Sequence, residues 1–137
     1  MKLSIRKLEE SDWNTLTNLW NMWPEWKDKF PPKDLLPENG TGGYIVEKGD
    51  VAIVAGFLYT TNSKVGWVEW IVSNKDYKDK DRKDALELLI LSAEATCKGL
   101  GKKHMFTIGR NKHLIETHKK LGWTVDPDPS YEIIKNI

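Results

Sequence analysis

The sequence predicts an α/β (α+β) fold in which a mixed, mostly antiparallel sheet of six to seven strands is flanked by helices. Residues 44–72 hold three consecutive β-rich runs joined by short turn signals, and two later stretches keep helical spacing of apolar residues, each followed by a further β-type run. Elements with so many two-faced patterns are most economically buried when helices cover a sheet.

The elements follow in order. Leu3 to Leu8 alternates and reads as a strand. In "ESDWNTLTNLWNMW", Ser11 or Asp12 can cap a helix whose one face carries Leu16, Leu19, Trp20 and Trp23. Pro24, Pro31, Pro32 and Pro37 break the next stretch into loop with room for a short helix, until "NGTGG" signals a turn. Tyr44–Glu47, Val51–Thr60 and Val65–Val72 are then separated by Lys48-Gly49-Asp50 and Thr61-Asn62-Ser63-Lys64, which predicts an antiparallel meander. Leu86, Leu89, Ile90, Ala93 and Cys97 keep helical spacing to a stop at Gly99 or Gly101, and His104–Ile108 returns as a strand to close a βαβ unit. A second helix runs from Asn111 through Leu114, Ile115 and Leu121 to Gly122, followed by two short β runs, Trp123–Val125 and Tyr131–Ile134.

The chain has 137 residues, 39% of them hydrophobic and seven of them Trp, which suits one domain spanning residues 1–137 with its own core. Lys plus Arg number 21 against 20 Asp plus Glu, and a net charge of +1 supplies no global field for nucleic acid or an acidic membrane. No window approaches the roughly eighteen apolar residues of a membrane span. The single cysteine, Cys97, cannot form an internal disulfide, and Met1-Lys2-Leu3 enters patterned sequence directly, so a soluble cytoplasmic protein is expected. A homodimer stays open as its assembly. His113 and His118 are five apart and His104 is remote, which is no metal-ligand spacing, and no metal is expected.

Across essentially the whole chain this order of elements resembles the GNAT N-acetyltransferase superfamily. "SIRKLEESDWNTLTNLW" is similar to the family's opening strand and acid-capped helix, "EWIVSNKDYK" to its V-x-P-x-Y-R before the cofactor loop, and "NKHLIETHKKLGW" to its N-x-x-A-x-x-x-Y-x-K-L-G-F. The resemblance implies an acyl-CoA-dependent N-acyltransferase that takes acetyl-CoA as co-substrate and a primary amine of a small molecule or protein as acceptor. It implies that the pantetheine arm lies between two splayed parallel strands beside Ile71 and Val72, where a main-chain N–H near Val72 polarises the carbonyl. The pyrophosphate would lie at the amino end of the following helix, Asp84 to Lys98, where free N–H groups and the helix dipole suit a doubly charged phosphate.

The family's loop there reads Q/R-x-x-G-x-G/A, and in "NKDYKDKDRKDALELLI" Lys78 stands at the Q/R place while Asp81 and Lys83 stand where glycines belong. Shifted by two, Lys80 takes the Q/R place and Ala85 the last, with Lys83 still on a glycine position. Two readings remain. Lys78, Lys80, Arg82 and Lys83 can replace backbone contacts by charge-assisted hydrogen bonds around the helix start at Asp84. Alternatively, Asp81 is an ordinary N-cap with Asp84 at N3, the lysines are a solvated face, and the carboxylates would repel a diphosphate.

For the chemistry, Glu69 is the only acid in "WVEWIV", where both strand faces look apolar, and it stands near where such enzymes keep a general base. His118 matches the family's tyrosine that protonates the departing thiolate, or else complements a helix C-terminus. Asn111 matches the family's cofactor-contacting Asn and is equally a normal N-cap. Trp23, Glu25 and Trp26 occupy the region that usually lines the acceptor pocket, with Trp23 also suited to the core. A catalytically inactive GNAT-shaped interaction module is the second function class, and the glycine-free loop is the argument for it.

Overall fold

A computed structural model describes residues 1–137. Strand β1 (Leu3–Lys7) leads through a 3-10 turn at Glu10–Asp12 into helix α1 (Trp13–Asn21). Asp12 does not cap α1 with its side chain. Its carboxylate instead accepts the Glu9 N–H at 2.7 Å and a bidentate pair of bonds from Arg6, at 2.9 and 2.8 Å, while Arg6 Nε donates to Glu47 at 2.9 Å. The Arg6 guanidinium is the main reason the Asp12 carboxyl lies below the usual carboxylate range. One cation thus pins the start of α1 to two neighbouring strands.

The proline-broken stretch forms two 3-10 turns, Lys33–Leu35 and Pro37–Gly40. Strands β2 (Gly43–Lys48), β3 (Val51–Thr60) and β4 (Val65–Ser73) follow, then helix α2 (Arg82–Gly99), strand β5 (His104–Thr107) and helix α3 (Lys112–Lys120). The sheet has five strands in the order β1-β2-β3-β4-β5; the first four pair antiparallel and β5 runs parallel to β4. The meander and the crossover helix match the sequence reading.

Residues alternate between the two faces. Ile45, Ala55, Phe57 and Val72 pack on one side with Leu16, Leu19 and Trp20 of α1. On the other side Val46 and Val54 meet Ala85 and Leu89 of α2, and Leu58 and Val68 meet Ala93 and Cys97. Cys97 is a buried core thiol whose partner must be a glycine, since a Cβ on Gly66 would collide with its sulfur.

The strand count is a correction: five, not six to seven. Neither Trp123–Val125 nor Tyr131–Ile134 forms a strand. Gly122, at φ 95°, ends α3, and Pro127 and Pro129 lack the N–H groups a ladder needs. Tyr131 and Ile133 point outward, each 93% exposed. Strand β5 is therefore the sheet edge.

Candidate active site

The far half of β4 is shaped by a bulge. Ala55 pairs with Val72 and Phe57 with Glu69, so Trp70 and Ile71 together face the single residue Gly56. Gly56 permits this close approach, because a Cβ there would lie 3.1 Å from the Ile71 side chain and 3.2 Å from Leu89. Trp70 takes a left-handed φ of 63°, which costs a non-glycine residue roughly 1–3 kcal/mol unless its surroundings enforce it. They do: Trp70 Nε1 donates to the Tyr59 hydroxyl (2.9 Å), which donates to the Leu35 carbonyl (2.9 Å), and Trp26 packs edge-on against the Trp70 ring at 5.6 Å.

Strand β5 accompanies β4 only from Val65 to Val68, where the Thr107 hydroxyl donates to the Val68 carbonyl at 2.6 Å. Beyond that point β4 runs on to Ser73 without a partner on this side. Strand β5 thus ends opposite Val68, and two cavities border the half of β4 that continues beyond it.

The larger cavity, about 660 Å³, is bounded by Ile71 and Val72 of β4, Arg82, Lys83 and Leu86 of α2, and Asn111 of α3. Trp23, Glu25 and Trp26 close its other end. Trp23 is held there by its indole N–H, which donates to the Ser73 carbonyl at 2.9 Å, while Lys75 lies 5.4 Å over its ring. Eight residues singled out from sequence therefore face one cleft. Asn111 also caps α3, accepting from the His113 and Leu114 N–H groups at 2.8 and 3.2 Å.

The start of α2 explains the missing glycines. No residue between Ile71 and Leu100 has a positive φ, so the loop needs no left-handed position. The Asp81 carboxylate accepts from the Tyr77 hydroxyl at 2.6 Å and from Lys48 Nζ at 3.0 Å, and those two bonds hold its pKa down. Arg82 reaches the end of β4 and donates to Ser73 Oγ at 3.2 Å. The Asp81 carboxylate is thus occupied by Lys48 of β2 and by Tyr77, while Arg82 and Lys83 border the cavity. Lys78, Lys80 and Asp84 are exposed and do not line it.

Glu69 opens on the smaller cavity, about 390 Å³, with Tyr59, Trp67, Trp70, Ile108 and Glu132. Its Oε1 accepts from Trp67 Nε1 at 2.6 Å. Burial pushes the Glu69 carboxyl up, the Trp67 bond opposes that, and nearby Glu132 adds to the rise. His118 is elsewhere: it is 4% exposed, packed edge-on against Trp123 at 4.8 Å, with Nδ1 2.8 Å from the Leu114 carbonyl. It does not line the cleft; of the two imidazoles on α3, His113 does. The face of α3 that lines the cleft follows from how the helix packs on α2, which the motif match could not resolve. Ser73 and Tyr59 carried no motif signal at all, since one acts through its main chain and hydroxyl and the other as a prop for Trp70.

No protein-family model matches the chain, and no curated protein matches its sequence. Solved structures do. An aminoglycoside acetyltransferase from an uncultured soil metagenomic sample superposes with a TM-score of 0.70 at 12% identity, covering 98% of this chain and 97% of its own. The enzyme AAC(6')-Iy, solved with a bisubstrate analog of CoA and acetylneamine, gives 0.68 at 15% identity with both chains fully covered, at 100%. A Trypanosoma brucei acetyltransferase gives 0.65 at 16%, covering 97% of this chain and 100% of its own. The chain has the GNAT fold.

Proposed function

We propose that the chain is an acetyl-CoA-dependent N-acetyltransferase whose acceptor is a primary amine of a small molecule or protein. The observation that carries this is the cavity beside β4 beyond the end of β5, into which Arg82 and Lys83 bring cationic side chains at the amino end of α2. The residues present fit a diphosphate: Arg82 and Lys83 border the cavity at the amino end of α2, the third cation there, Lys120, is paired with Glu87, and the loop's Asp81 is already engaged by Lys48 and Tyr77. Acetyl-CoA supplies the activated acyl carbon as a thioester.

The chain's own groups divide the remaining work. Arg82 and Lys83 hold the diphosphate, and Ile71 and Val72 line the path of the pantetheine arm with main-chain N–H groups available to the carbonyl. Glu69, at the bulge, accepts the proton that the amine must lose, a role that its raised pKa suits. Trp23, Glu25 and Trp26 stay with the large cleft as a wall against solvent.

Acetyl-CoA at a hundred times its Kd should stabilise the native state by about 2.7 kcal/mol, read as a rise in melting temperature. Arg82→Ala combined with Lys83→Ala should weaken binding by about tenfold or more. Turnover is measured as thiol released from acetyl-CoA in the presence of an amine panel. No thermal response at millimolar acetyl-CoA would sink the enzyme reading. The second reading, an inactive interaction module, is favoured by the loop, which offers side chains where the family offers close backbone.

A further inference from the structure

The smaller cavity carries information about the acceptor, granted the acetyltransferase reading above. It lies beside Glu69 and the bulge, with Trp67, Trp70 and Tyr59 as walls. Two carboxylates border it, Glu69 and Glu132, and no Lys or Arg does. Glu132 is already paired with Arg110 at 3.6 Å. One uncompensated negative charge is left, on Glu69, which suits a ligand with one positive charge.

The polar groups of the walls are spent on one another. Trp67 Nε1 donates to Glu69, Trp70 Nε1 to Tyr59, and Tyr59 to the Leu35 carbonyl. The Thr61 hydroxyl donates to the Val65 carbonyl at 2.6 Å and accepts from the Ser63 N–H at 3.2 Å. A ligand rich in hydroxyls or in several ammonium groups would lose its water here and find few partners. Aromatic faces instead favour a flat apolar body, and a cation near them gains further. The volume of about 390 Å³ falls at the small end of ligand cavities, roughly 300–1,000 Å³.

We propose that this pocket is the acceptor site and that its acceptor is a monoamine with a flat apolar body, such as an arylalkylamine, rather than a polyamino sugar. The ammonium pairs with Glu69 while the body lies between Trp67, Trp70 and Tyr59. Glu69 then takes one proton from the ammonium, leaving the neutral amine to form the new N–C bond as the C–S bond of the thioester breaks; the thiolate leaves with the electron pair of that bond and takes the second proton that the nitrogen loses, giving the free thiol and the neutral amide.

The test uses phenylethylamine, phenylethanol and kanamycin as probes on the full chain. Calorimetry without acetyl-CoA should show phenylethylamine binding, with uncharged phenylethanol weaker by about tenfold or more. Glu69→Gln should abolish that preference, and the phenylethanol comparison on the unmutated chain decides the point if the variant fails to fold. With acetyl-CoA, thiol release should follow phenylethylamine and not kanamycin. Turnover of kanamycin with phenylethylamine inert overturns the acceptor class while the acetyltransferase reading stands. Equal binding of phenylethylamine and phenylethanol overturns the pairing with Glu69. Phenylethylamine binding with no response to acetyl-CoA at any concentration overturns the acetyltransferase reading, and the acceptor role with it.

Discussion

The end of the sheet from β1 to β3 and the end at β5 are built to different standards. Around β2 and β3, Trp20 is fully buried, stacked on Phe57 with ring centroids 6.1 Å apart, and packed between Trp13 and Phe30. At the other end, β5 has no buried residue, and α3 buries only His118. The cleft lies where these regions meet: β4 and Trp23 form a wall fixed by the dense core, and α3 forms a wall held by its Asn111 cap, by the buried His118 and by bonds from Lys120 and Trp123 to Glu87 and Glu94 of α2. A site made this way has one rigid face to orient a ligand and one face that a ligand can order.

The largest effect should come from breaking the dense end. Trp20→Ala leaves a cavity among Leu16, Leu19 and Phe57 and should cost about 3–5 kcal/mol, seen as a lower denaturant midpoint. Trp123→Ala, at the half-buried end of α3, should cost clearly less. Equal losses would mean that the two ends are not energetically distinct.

Acetyl-CoA should sharpen the difference. If it bridges the cleft, native-state amide exchange should slow on α3 and on the first turn of α2, by up to about 2.7 kcal/mol at a hundred times Kd. The strands β2 and β3, already held by the core, should change little. Uniform slowing throughout would indicate only global stabilisation.

A smaller effect belongs to the clasp at the dense end. Asp12→Ala strands the Glu9 N–H and frees the Arg6 guanidinium, for about 1–3 kcal/mol of destabilisation by chemical denaturation. With Asp12 intact, the same clasp should weaken in acid. The folded pKa of Asp12 is depressed, so its contribution is present above the ordinary carboxylate range and is lost as pH falls through the folded value.

The dense end was legible in the sequence because its signals are local. Helical spacing of Leu16, Leu19 and Trp20, and the meander's turn residues, each act within a few positions. The bulge was not legible, since it arises from the pairing of Phe57 with Glu69 and from props that reach Trp70 from Tyr59 and Trp26, far apart in the chain. The last two β runs looked like strands by composition, but the prolines at 127 and 129 outweighed it. Asp81 read as an N-cap, yet its carboxylate goes to Lys48 on β2, a partner 33 residues away that no local pattern announces. His118 matched a motif position, and the match gave its place on α3 without saying which side of the helix faced the cleft.

That position supports the last and smallest effect. The His118 Nδ1–H donates to the Leu114 carbonyl, and Nε2 is buried with no partner, so the imidazole is neutral in the fold. Burial pushes its pKa down; the Leu114 carbonyl and the Glu94 carboxylate on α2 oppose this without cancelling it. As pH falls below about 6.5 the unfolded chain binds the proton first, so stability should fall by up to about 1.4 kcal/mol per pH unit until the folded pKa is reached. The loss should register in α3 before the rest of the molecule, because Trp123 packs on this ring and its N–H donates to the His118 carbonyl at 3.0 Å. His118→Phe should flatten that part of the pH profile of melting while leaving thiol release from acetyl-CoA essentially intact. A variant that keeps its stability but loses turnover would instead bring His118 into the chemistry, and would require α3 to turn when the cleft is filled.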